Sequence, residues 1–261
     1  MYNFYVQSWL TFKGLFHWLN RWGYLSSTVL YPFATVTMFA ILGRFASNPD
    51  LVRTYALGIA VSCIAWIAIA GITQSYTRER YNGGTSFVFV STVNRLTHFI
   101  SRSVFHFPNA LVAFFFGMLA AWIIVDLDFS AVNWPTLILA VLAIDLAVTA
   151  YAQLLGVASV AVRNWIGIQG LANTILLILS GIIIPVSVLP GFLQEIAKLL
   201  PITNGLAAFR AAFTGAPLAE VSGNILREFI TGLVYYAAAY FAFVFFEKAV
   251  KRSGTLERDA I

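Results

Sequence analysis

Six stretches of this chain run for roughly 18 residues or more without Asp, Glu, Lys or Arg, broken only by Asp145 within the fourth. They lie between Arg21 and Arg44, Arg53 and Arg78, Arg102 and Asp126, Asp128 and Arg163, Arg163 and Glu195, and Glu228 and Glu247. A hydrocarbon core of about 30 Å is crossed by about 20 apolar residues in a helix, which satisfies its own backbone N–H and C=O groups where no water can. The repetition predicts an all-α polytopic membrane protein with six transmembrane helices, at 22–44, 54–75, 103–125, 135–162, 166–189 and 229–247. The chain, 1–261, reads as a single transmembrane domain. Trp22, Trp122, Trp134 and Trp165 stand near the ends of these runs, where an amphipathic indole prefers the headgroup region. With 10% charged residues against about 25% in soluble domains, an ordinary water-soluble enzyme is excluded.

The charge pattern orients the chain. Sixteen Lys and Arg face 11 Asp and Glu. If both termini share one side, that side holds eleven basic residues, among them Arg78, Arg80, Arg95 and Arg102. The other side holds Arg44, Arg53, Lys198, Arg210 and Arg227. The positive-inside rule then places both termini in the cytoplasm of a multi-pass protein of the cell (inner or plasma) membrane. No loop is long enough for a basic nucleic-acid-binding domain, so no nucleic-acid partner is expected. The single cysteine, Cys63, lies inside an apolar run and reads as core packing; it excludes an intrachain disulfide.

Three segments do not fit plain spanning. Residues 1–21 lack the features of a signal peptide and place Tyr5, Trp9, Phe12, Phe16 and Leu19 on one helical face, as expected of an interfacial helix lying on the lipid bilayer. Residues 76–102 are too charged to span. Within them, Asn82-Gly83-Gly84-Thr85 is a turn with a Thr helix cap, and Phe87, Val90 and Leu96 mark a short amphipathic helix fit either to dock in another protein's groove or to rest on the inner leaflet. Residues 191–215 hold two helical pieces, each far below the about 17 residues a span requires, around a Pro201–Gly205 turn. They are expected to be extracellular re-entrant helices that cap a pathway or act as a structural plug, with Pro201, Asn204 and Arg210 as cap residues.

Two stripes inside the runs are polar or small. Asp145, Thr149, Gln153 and Gly156 recur at helical spacing in the fourth run, and Gly167, Gly170, Asn173 and Ser180 in the fifth. A carboxylate within a bilayer is expensive, so Asp145 must face other helices or a cavity. Asp145, Thr149, Gln153, Asn173 and Ser180 therefore line a substrate path or serve helix packing. Phosphate-loop, H-E-x-x-H and G-x-S-x-G patterns are absent, and the three histidines have no metal-ligand spacing, so neither catalytic nor metal-binding residues are expected.

This architecture resembles the membrane subunit of ABC-2 type transporters, the export permeases that work with a separate ATPase. The resemblance covers nearly the whole chain. Family members carry an acidic residue, a Gly-Thr and a short helix between spans two and three; Glu79, Gly84, Thr85 and then Arg95 fall there. They also carry a Ser-Gly, two prolines, a Leu-Pro and an Arg before a Gly, matched by Ser180-Gly181, Pro185, Pro190, Leu200-Pro201, Arg210 and Gly215. Asn82-Gly83 and Ser86-Phe87 depart from the usual pattern around the Gly-Thr. The resemblance implies a non-catalytic permease subunit of an ATP-driven exporter. It makes 76–102 a cytoplasmic coupling segment, with Glu79, Arg80, Gly84, Thr85, Phe87 and Arg95 contacting the ATPase. It implies two cytoplasmic ABC ATPase subunits, which carry the ATP and Mg, and a second permease subunit, identical or related, with spans one and five near the contact. A hydrophobic or amphipathic cargo (drug, lipid, peptide or lipid-linked glycan) fits the family's range. Two other readings stand beside it: an ion-coupled secondary transporter or channel using Asp145, and a non-transporting membrane scaffold.

Overall fold

With no water to bond a bare backbone, a chain like this closes its hydrogen bonds locally, and every regular element among the described residues of the computed structural model is a helix. The description covers residues 6, 8–9, 21–45, 49–81, 94–160, 162 and 164–253. In chain order the helices are α1 (Trp22–Phe45), α2 (Pro49–Tyr81), α3 (Arg95–Ser101), α4 (His106–Val125), α5 (Trp134–Val160), α6 (Trp165–Leu179), α7 (Gly191–Leu199), α8 (Thr203–Phe213) and α9 (Leu218–Ser253). A π-helical turn over Ser26–Leu30 interrupts α1.

Among the described residues, five helical stretches are long and apolar enough to cross a membrane: α1, α2, α3 with α4, α5 and α9. The expected span over 166–189 is not one helix. Helix α6 has 15 residues, a rise of about 22 Å, and falls short of the hydrocarbon core. It ends where Gly181 turns at φ 81°, and Pro185 and Pro190 beyond it have no N–H to carry a helix on. Arg210 bonds the carbonyls of both Ile182 and Thr54, which places the bend after α6 beside the start of α2.

Helices α2 and α5 form the centre. Of their most apolar windows 78% and 72% is buried, against 17–33% for α1, α3 with α4, and α9, which surround them. Small side chains allow the close crossings. A Cβ on Gly117 of α4 would lie 3.1 Å from Ala60 Cα of α2, and one on Gly232 of α9 would lie 3.0 Å from Ala147 Cα of α5. Without a hydrophobic drive between helices in lipid, such close backbone contact is what holds a bundle together.

The expected interfacial helix at 1–21 lies outside the described residues apart from Val6, Ser8, Trp9 and the backbone of Arg21; the Trp9 ring meets Phe105 edge-on at 5.5 Å. Gly84, Thr85 and Phe87 also lie outside them. The helix pair expected at 191–215 is present as α7 and α8, and its two members differ in character. Helix α8 buries Leu206, Phe209 and Phe213 against α5 and α9, whereas α7 exposes Phe192, Ile196 and Leu199.

Candidate functional site

The last turns of α2 and the start of α3 frame residues 82–93, and both ends are tied into the bundle. Asn94 caps α3, its Oδ1 accepting from the backbone N–H of Leu96 (2.9 Å) and Thr97 (3.2 Å). Immediately after α3, Arg102 pairs with Glu79 of α2. The same guanidinium donates from Nη2 to His98 Nε2 at 2.9 Å, which leaves the imidazole proton on Nδ1, and stacks 4.0 Å from the centroid of the Tyr76 ring. Arg102 is 3% and Glu79 18% exposed, so either partner alone would be a poorly solvated charge, a loss of about 3–5 kcal/mol.

From there polar contacts reach two further helices, α5 and α9. The Tyr76 hydroxyl donates to Gln153 Oε1 of α5 (2.8 Å), and Gln153 Nε2 donates to the Phe99 carbonyl of α3 (3.0 Å). Ser103 meets the Tyr236 hydroxyl of α9. Arg80 donates to the Val160 carbonyl at the end of α5, and Arg95 pairs with Glu247 of α9 at 2.9 Å, where Lys251 also bonds. The residues flanking 82–93 are therefore joined to α5 and α9 by hydrogen bonds and ion pairs.

The expected path residues do not share one lining. Asp145, Thr149 and Gln153 form a fully buried stripe on α5. The Thr149 hydroxyl donates weakly to Asp145 Oδ1 (3.3 Å), and Oδ2 has no partner among the described residues. Asn173 of α6 instead faces a cavity of about 230 Å³ with Tyr31, Ser62 and Trp66. Ser180 donates to the Pro201 carbonyl (3.2 Å), tying the end of α6 to the turn before α8.

At the opposite end from Glu79, two side chains hold this turn. Ile202 takes a left-handed φ of 84°, an uncommon conformation for a β-branched residue, and the Glu228 carboxylate of α9 accepts its N–H at 2.6 Å and that of Gly205 at 2.8 Å. Glu228 is fully buried and caps α8 from another helix. A Cβ on Gly205 would stand 2.3 Å from Ile144 Cγ1, so only glycine allows α8 so close to α5. Arg210 donates to the carbonyls of Gly181 (2.9 Å), Ile182 (3.1 Å) and Thr54 (3.1 Å), fastening α8 to the bend after α6 and to α2. Asn204 Nδ2 donates to the Lys198 carbonyl of α7 (3.1 Å). Glu228 is a residue that sequence reasoning treats as the edge of an apolar run; α9 continues ten residues before it, to Leu218. The available signal was its position four residues before Gly232, a close-packing glycine of the same helix.

A family model described as "ABC-2 family transporter protein" matches residues 30–241. The chain is also similar to Nodulation protein J of Rhizobium meliloti (strain 1021), with 31% identity over 96 residues, 36% of this chain and 37% of that protein. The match thus spans about a third of the relative's length.

Proposed function

The chain belongs to the ABC-2 family of transporter proteins, and on that footing we propose that it is the permease subunit of an ATP-driven exporter carrying a hydrophobic or amphipathic substrate out of the cell. The observation that carries the reading is the polar network around residues 82–93, anchored by Glu79, Arg102 and Tyr76 on one flank and by Arg95 and Glu247 on the other. A cytoplasmic ATPase docked on this segment, through Gly84, Thr85 and Phe87, pushes on two flanks whose bonds run to α5 and α9. Closure of two ATPase subunits around ATP and Mg rocks these helices against α2. The chain itself is non-catalytic. Both termini are cytoplasmic in the inner or plasma membrane, and a second permease subunit, a further copy in the simplest assembly, completes the path alongside α1 and α6.

The test is to purify the chain from its native membranes in mild detergent, identify the co-eluting proteins and assay vanadate-sensitive ATP hydrolysis. The expected result is a P-loop ATPase at equal stoichiometry, lost on Gly84→Pro or deletion of residues 85–90 while the chain still inserts. An isolated oligomer without an ATPase, or transport that survives these changes, overturns the reading.

One observation favours a second reading. Asp145 is fully buried with one carboxylate oxygen unpartnered among the described residues, as an ion- or proton-coupled carrier would need. That reading requires gradient-driven transport without an ATPase, abolished by Asp145→Asn.

A further inference from the structure

In the half of the bundle toward Glu79, helices α1, α2, α4 and α6 part around a cavity of about 410 Å³. Its volume lies within the range of small-molecule sites. The π-helical turn of α1 brings Ser26, Ser27 and Thr28 to one wall. Gln74 of α2, Asn109 and His106 of α4 and Gln169 of α6 supply the others, and the Trp66 indole forms an aromatic face.

The lining has a definite chemical character. Among the described residues it contains no Asp, Glu, Lys or Arg, so a charged group entering would lose water without meeting an opposite charge from them. It is nevertheless rich in hydroxyls and amides, each of which donates and accepts. Part of this capacity is unused: the Thr28 hydroxyl, 1% exposed, has no partner among the described residues, and the side-chain amides of Gln74 and Gln169 make no hydrogen bond there. The Tyr24 hydroxyl donates to Asn109 Oδ1 at 2.8 Å and holds the rim between α1 and α4. Buried polar groups left unbonded inside a membrane bundle are costly, and a ligand that bonds them relieves that cost.

We propose that this cavity binds the head of an amphipathic molecule whose polar group is uncharged and bears hydroxyls or amides. Thr28, Gln74 and Gln169 bond the head, and Trp66 covers its apolar face. The proposal rests on the transporter reading and narrows its cargo from any amphipathic molecule to one with a neutral, multiply hydrogen-bonding head.

The test uses the full chain in phosphatidylcholine nanodiscs and three radiolabelled probes with the same dodecyl tail, each below its micelle threshold: dodecyl maltoside, dodecyl sulfate and dodecyltrimethylammonium. The expected result is saturable maltoside binding above empty nanodiscs that neither charged probe displaces. Gln74→Leu and Gln169→Leu each weaken it at least tenfold, whereas Phe115→Leu, in an apolar groove between α4 and α5, leaves it unchanged. Because the two variants lie on different helices, misfolding of one leaves the other decisive, and Thr28→Val gives a third. The absence of a saturable component, equal competition by the charged probes, or unchanged affinity in the folded variants overturns the proposal. No ATP or ATPase is present, so loss of the exporter reading would leave this result standing, and a failed binding assay would leave ATPase docking untouched.

Discussion

Replacing Glu228 with alanine removes the acceptor for two backbone N–H groups at the start of α8, those of Ile202 and Gly205. Hydrogen bonds to a charged group contribute about 1.5–3 kcal/mol each, and here no water stands ready to replace them, since Glu228 is fully buried. The expected loss is about 3–6 kcal/mol, concentrated at the turn. Glu228→Gln keeps one carbonyl oxygen but turns an NH₂ toward a second donor, so about half that loss is expected. The assay is hydrogen exchange at the two amides in nanodiscs. At about 1.4 kcal/mol per tenfold, exchange in the alanine variant accelerates by about 10² to 10⁴, with glutamine between it and wild type. The amide of Phe209, deep in α8, serves as the reference and changes less. Acceleration below about threefold, or glutamine exchanging as fast as alanine, would refute the argument that this carboxylate holds the turn.

Glu79→Gln and Arg102→Met each destabilise the chain in SDS-induced unfolding by about 3–5 kcal/mol, and the double variant by well under their sum, because removing both charges abolishes the unpaired one; additive losses would show that the two do not interact. Gly232→Leu forces α9 away from Ala147 of α5 and costs about 1–3 kcal/mol in the same measurement, and an unchanged midpoint would show that this crossing is not close-packed.

Much was legible because a bilayer imposes a crude rule on local sequence. Charge-free length marked the helices, and the resemblance carried by Glu79, Ser180-Gly181 and Arg210 led to a family that the match over residues 30–241 bears out. Treating charges as helix ends fails on α9, where Glu228 sits ten residues inside a helix of 36, and on α2, which runs through Arg53 and Arg78 from Pro49 to Tyr81. The fifth apolar run misled in the opposite way. Its hydropathy continues past Leu179, but a Gly at φ 81° and two prolines end the helix, and backbone geometry, not apolarity, governs there.

The sequence by itself determined that this chain is helical and membrane-embedded, because length without charge is a one-dimensional property that the bilayer reads segment by segment. Only the tertiary structure decided that Glu228 caps a helix 23 residues back in the chain, that Arg102 rests between Glu79 and Tyr76, and that Thr28, Gln74 and Gln169 meet around one cavity. Each of these depends on which faces of several helices are brought together, and no local periodicity encodes that. It follows from close crossings at small residues and from the need of every buried polar group to find a partner.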